Sequence, residues 1–266
     1  MKKVAVIIPF YKSDISDYEN ISLQQCKKIL ADHDIIIIKP ENLALPQIAK
    51  DLPVSKTVSF HPGFFESISG YNQLMLSGEF YKAFLDYEYI LIYQMDCFIF
   101  KDELNYWCDQ GWDYIGAPWI KKTYHKNDIS LFFSKLKYQF GARFKKFDQN
   151  EPNQYQLDNR VGNGGFSLRR VSKFYDLSLL MQPIISHYLN SKGNLHNEDV
   201  FWSIEVNREK RILNIPDAAT ALRFAFEVPP VKQEFLNEGL LPFGCHDWDR
   251  YADYWRNIFG KLGYKI

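Results

Sequence analysis

The sequence has no long hydrophobic run. Nothing in it approaches the roughly 20 apolar residues that a helix needs to span a bilayer, so a membrane-embedded chain is not expected. It also lacks an excess of either charge. The 32 Lys and Arg balance 32 Asp and Glu, and without a net field no nucleic-acid partner is expected. Cysteines are few, and the four present (Cys26, Cys97, Cys108, Cys245) form no C-x-x-C pair, which points to a reduced, cytoplasmic setting. Neither common glycine-rich nucleotide loop occurs. "VGNGGFSLRR" (161–170) lacks the Gly-Lys-Ser/Thr ending of a phosphate-binding loop, and no G-x-G-x-x-G follows the first strand, which argues against a nicotinamide cofactor. The opening "MKKVAVIIPFYKS" lacks a small-residue cleavage site. Its apolar run stops at Pro9, and it reads as a first β-strand.

What is there is a core. The 266 residues are 46% hydrophobic and 17% aromatic, enough for one large domain, and no linker or repeat divides them. The first half alternates between two periodicities. "KVAVIIPF", "DIIIIKP" and "YILIYQMD" read as strands. "ISLQQCKKILADH" and "SISGYNQLMLSGEFYKAFLDY" have helical spacing, the latter as one or two helices. Near-continuous apolar strands between amphipathic helices indicate an α/β fold, a Rossmann-like layer sandwich with a mainly parallel sheet covered on both faces. Ligands in such folds sit at the carboxyl ends of the strands, where Pro9-Phe10-Tyr11, Lys39-Pro40-Glu41 and Asp96 fall.

Four stretches in this frame carry candidate chemistry. Asp96 is a carboxylate at the end of a buried strand, able to hold a divalent cation or equally to cap a turn. The glycines of "VGNGGFSLRR" let a backbone turn sharply against a ligand, as they would in any tight loop. "HNEDVFW" puts Glu198 and Asp199 at a helix start, with Asn197 as the expected N-cap. Acids suit the helix dipole there, and either could serve as a general base. His246, in "FGCHDW", is a possible Mn²⁺ or Zn²⁺ ligand or a histidine satisfied within a turn.

In this order the stretches resemble nucleotide-sugar glycosyltransferases of the GT-A fold. The nearer likeness is to a largely uncharacterised microbial family of that fold with the signature YILIYQxD…DYIGAPW…GNGGFSLR…NEDVFW, running from about Val4 to His246. The resemblance implies a GT-A layer sandwich and a metal-dependent transfer of a sugar from a nucleoside-diphosphate donor, UDP favoured. The acceptor would be a glycan or lipid-linked, in surface polysaccharide synthesis. It implies Asp96 and His246 as ligands of Mn²⁺ (or Mg²⁺), and Asp199 as the base of an inverting reaction with Glu198 orienting the acceptor. Pro9, Phe10, Tyr11, Asn72, Gln94, Asp96, Gly164 and Gly165 would bound the donor. The usual strand-end motif is Asp-x-Asp, and here Gln94 takes the place of the first acid.

Residues 121–146 form a separate compositional zone, with eight Lys or Arg against Asp128 and with Phe132, Phe133, Leu136 and Phe140 interleaved. The pattern suits a helix lying on an anionic membrane surface or one packing its aromatics into the core. Two other classes stand beside the transferase. A nucleotidyltransferase would carry a Gly-rich basic loop after the first strand, which "IIPFYKSDISDY" lacks. A non-catalytic carbohydrate-binding protein on a degenerate transferase fold would suit Gln94.

Overall fold

A six-stranded sheet in the order β3-β2-β1-β4-β11-β6 organises the molecule. The structure, a computed structural model, describes residues 1–120, 136, 147–148, 151–152, 156–191 and 194–266. Its strands are β1 (Lys2–Pro9), β2 (Asp34–Pro40), β3 (Val54–Phe60), β4 (Tyr87–Tyr93), β5 (Phe98–Ile99), β6 (Tyr114–Gly116), β7 (Pro118–Trp119), β8 (Phe147–Asp148), β9 (Glu151–Pro152), β10 (Arg160–Val161), β11 (Phe166–Arg170), β12 (Ala225–Phe226) and β13 (Gly244–Cys245). Strands β3, β2, β1 and β4 run parallel, and β11 is antiparallel to both β4 and β6. This is the mainly parallel α/β architecture expected, with one reversed strand that the sequence pattern did not show.

Alternation along the strands splits the core in two. Val4, Val6, Ile8, Tyr89, Leu91 and Tyr93 join one buried cluster; Ala5, Ile7, Ile90 and Ile92 join the other. Helix Asp17–Leu30 begins with a full capping box: the Ser16 side chain takes the Glu19 N–H and Glu19 returns to the Ser16 backbone. Two helices, Ile68–Met75 and Gly78–Lys82, precede β4, separated where Ser77 caps the second. Strand β3 was not anticipated. As an edge strand it is largely exposed, so "VSKTVSF" carries no apolar run. Asn197 does precede a helix, Glu198–Val200, but its side chain does not cap it; its Oδ1 accepts from Asn72 Nδ2 at 3.1 Å instead. Apart from exposed Leu136, the basic zone at 121–146 lies outside the described residues. Among the described residues no helix is long and apolar enough to cross a membrane.

Candidate metal and donor site

The strand order reverses between β1 and β4, the first leading outward to β2 and β3 and the second to β11. In open α/β sheets the crevice at the carboxyl ends beside such a reversal is the ligand position. Asp96 stands there, three residues beyond the end of β4. A second, three-stranded sheet brings its partners: β12 pairs parallel with β13, and β13 antiparallel with β5. Because Cys245 opposes Phe98 and Phe226 flanks Cys245, the next residues along, His246 and Glu227, emerge beside Asp96 and Cys97. The His246 N–H donates to Phe226 O at 2.9 Å, which extends the ladder by one step.

His246 Nε2 lies 3.3 Å from Asp96 Oδ1 and 3.4 Å from Gln94 Oε1. Its Nδ1 faces Glu227 Oε1 at 3.5 Å and Asn163 Nδ2 at 3.0 Å. Asn163 is held in a left-handed conformation, φ 76°, and its Oδ1 accepts N–H groups from Gly165 (2.8 Å) and Phe166 (2.9 Å). That fixes its amide nitrogen toward the imidazole. Burial pulls the His246 imidazole down and Asp96 with Glu227 pulls it up, the net being well above the ordinary value. For Asp96 burial acts upward, and the opposing His246 charge leaves the carboxyl below its ordinary value.

Asp96 Oδ1 is buried, with His246 Nε2 at 3.3 Å but no hydrogen bond of normal geometry, which leaves it able to take a further ligand. One oxygen and one imidazole nitrogen suit Mn²⁺ or Mg²⁺, with phosphate oxygens and water completing the sphere. Cys97 shares the cluster, within 4.8 Å, but its thiol donates to Gly165 O at 3.3 Å and burial pushes its pKa well up. A hard cation is therefore better served by Asp96 and His246.

The glycine loop separates this group from a second one. A Cβ on Gly165 would sit 2.1 Å from His246 Nε2, and one on Gly164 2.1 Å from Glu198 Oε1. Only glycine allows the backbone to pass between them. On the far side, Glu198 is buried and held bidentately by Arg169, Nη1 to Oε2 at 3.0 Å and Nη2 to Oε1 at 2.9 Å. Arg169 is fully buried and also donates to the Tyr81 hydroxyl at 2.9 Å. The Glu198 N–H donates to Asn72 Oδ1 at 3.1 Å.

Asp199, the next residue, is part-buried; its Oδ1 accepts the Val200 N–H at 2.8 Å. Burial first, then the charges of Glu198 and Glu227, push its carboxyl up to about 7. A carboxylate ionising near neutrality is matched to general-base work. A π-helical turn, Phe201–Glu205, follows directly, a feature often found at functional sites.

The expected site residues thus divide. Asp96, Gln94, His246, Gly164 and Gly165 converge, and Asp199 stands beside them through Glu227. Tyr11 is half exposed beyond β1, within electrostatic reach of Asp96. Pro9 and Phe10 are buried, and the Asn72 amide bonds Asn197 and the Glu198 backbone. Glu198, expected to orient an acceptor, has each of its oxygens paired with Arg169. Sequence reasoning missed Glu227, Asn163 and Arg169. A surface cavity of about 330 Å³ lined by Asp102, Glu103, Tyr106 and Arg223 is not part of this site. Asp102 pairs with His33, at the amino end of β2, and so marks the opposite edge of the sheet.

Residues 55–246 match the profile of a family described as "Protein of unknown function (DUF5672)". No curated protein matches the chain by sequence. Among solved structures, a galactosyltransferase, LgtC, in complex with donor and acceptor sugar analogues is similar at a TM-score of 0.53 and 13% identity, covering 91% of this chain and 86% of that one. Mouse xyloside xylosyltransferase 1 in its apo form is similar at a TM-score of 0.50 and 12% identity, covering 92% and 97%. At such identities the likeness establishes the fold: a GT-A layer sandwich.

Proposed function

The chain belongs to the DUF5672 family, a family described only by its unknown function, and from the chemistry of its own site we propose that it is a metal-dependent glycosyltransferase. The donor is a nucleoside-diphosphate sugar, UDP favoured, and the acceptor a glycan or lipid-linked glycan in surface polysaccharide synthesis. The observation that carries this reading is the Asp96–His246 pair, 3.3 Å apart at the strand-order reversal, with a near-neutral carboxylate at Asp199 across the glycine loop.

A divalent cation at Asp96 and His246 would neutralise the charge gathering on the diphosphate leaving group. With its proton on Nδ1, directed at Glu227 Oε1, the imidazole would present the Nε2 lone pair beside Asp96. Exposed Tyr11 offers a ring to the nucleotide at the end of β1. Asp199 takes the proton from the acceptor hydroxyl, and attack opposite the leaving group inverts the anomeric centre. Glu198, paired with Arg169, fixes the helix start from which Asp199 projects. Four free, buried cysteines suit a reducing, cytoplasmic compartment.

A thermal-shift series with UDP, GDP and CMP, with and without Mn²⁺, tests the reading. One nucleotide at a hundred times its Kd should add about 2.7 kcal/mol of stability, and only with the metal. Asp96→Ala and His246→Ala should each abolish the metal-dependent part. Stabilisation by no nucleotide, or unchanged stabilisation in both variants, overturns it.

The cationic zone at 121–146 supports the lipid-linked acceptor. The protein should sediment with vesicles of phosphatidylglycerol and phosphatidylcholine but not with phosphatidylcholine alone. Charge reversal at Lys135, Lys137, Lys145 and Lys146 should release it. Equal sedimentation with both vesicle types removes the electrostatic contact.

A further inference from the structure

The three-stranded sheet has two ends. At one, Glu227 and His246 leave β12 and β13 beside Asp96. At the other, its ladder runs on: the Phe243 N–H donates to Arg223 O and the Phe100 N–H to Phe243 O, both at 3.0 Å. These bonds set Arg223, in the last turn of helix Ala218–Phe224, against the chain that leaves β5 through Lys101. Between them lies the surface cavity of about 330 Å³, lined by Asp102, Glu103, Asn105, Tyr106 and Arg223. None of these five belongs to the metal site. Asp102 is six residues along the chain from Asp96. Six residues span at most about 22 Å, so the two places are separate but near.

The acidic wall is held in place. Asp102 Oδ2 lies 3.0 Å from His33 Nε2, and Asp102 Oδ1 accepts the Leu104 N–H at 3.1 Å. Lys101 Nζ lies 2.7 Å from Glu103 Oε1. Tyr106 is 44% exposed, its ring set edge-on to Trp107. Arg223 is exposed, and among the described residues its guanidinium has no ion-pair or hydrogen-bond partner. Each carboxylate thus already faces a basic side chain, and an unpaired guanidinium shares the cavity with them. That balance favours neither a metal cation nor a phosphate. It suits neutral hydroxyls, which donate to carboxylates and accept from a guanidinium, while the Asn105 amide does both. The exposed tyrosine supplies an apolar face for the C–H side of a sugar ring. Ligand clefts run from about 300 to 1,000 Å³, so this one holds a short segment of a chain. We propose that the cavity is a second carbohydrate-binding site, which takes a neutral glycan segment away from the metal centre. The inference goes beyond the transferase reading and does not depend on it. In a transferase, a glycan held at this second point stays at high local concentration between turnovers.

The test applies the full chain to an array of neutral and acidic glycans. Calorimetric Kd values for the tightest neutral binder follow, in the parent, Tyr106→Ala, Arg223→Ala and Asp96→Ala. Tyr106 and Arg223 are exposed, so both variants should keep the parent's Tm, which checks that they fold. Each should weaken glycan binding about tenfold or more, while Asp96→Ala binds the glycan like the parent. Binding that falls in Asp96→Ala but not in the two cavity variants belongs to the metal site and overturns the assignment. Binding to no neutral glycan, or to acidic glycans alone, overturns it as well. If the cavity variants lose the glycan and the parent shows no Mn²⁺-dependent nucleotide binding, the transferase reading falls and the carbohydrate site stands.

Discussion

Asp199→Asn is expected to lower turnover by about 10²–10⁴, the usual contribution of a positioned general base, with nucleotide and Mn²⁺ affinity close to the parent's. In the parent, kcat should fall as the pH drops through about 7, where Asp199 takes up its proton. Stability should move the other way. The Asp199 carboxyl ionises near 7 in the folded chain against an ordinary 3.8, so between those values the folded chain holds a proton that the unfolded chain has lost. Its contribution is complete below the lower value and is lost as the pH rises through the upper one. Asn cannot ionise, so the variant's gain in Tm over the parent should be larger at pH 8 than at pH 5. A variant that keeps most of its turnover, or a product that retains the donor's anomeric configuration, rules out Asp199 as an inverting base.

Arg169→Met is expected to be the most destabilising single change at the site. It removes the partner of a buried carboxylate, and breaking such a pair costs about 3–5 kcal/mol. Glu198 is buried, and its neighbour Asp199 would lose the offsetting charge of Arg169. Urea unfolding would show the loss. The double variant with Glu198→Gln should recover most of it, since a buried pair replaced as a unit is close to neutral. If the single variant unfolds within about 1 kcal/mol of the parent, the pair is not the brace inferred here.

How much of this was legible in the sequence depended on how far each element advertises its surroundings. Strands β1, β2 and β4 announced themselves because both their faces are buried, so nearly every residue is apolar. Exposed β3 has no such signature, and the antiparallel sense of β11 is a property of pairing that "FSLRR" does not encode locally. Asp96 was conspicuous as a lone carboxylate in an apolar run. Glu227 was not: it is placed by a two-residue strand whose register is set by contacts with β13. Phe10 and Tyr11 looked equivalent as neighbours at a strand end, yet just past β1 the first turns into the core and the second outward. Arg169 drew no notice because its partner, Glu198, lies 29 residues away.

The passage of bare backbone between His246 and Glu198 has an engineering consequence. At Gly164 and Gly165 the partition between His246 and Glu198 is one peptide thick, and any side chain added there would collide with one wall or the other. A library randomised across the loop would therefore return mostly inactive clones, however varied the chemistry offered. Diversity introduced at Gln94, whose Oε1 lies 3.4 Å from His246 Nε2, leaves the partition intact. Redesign of the site should start from that position.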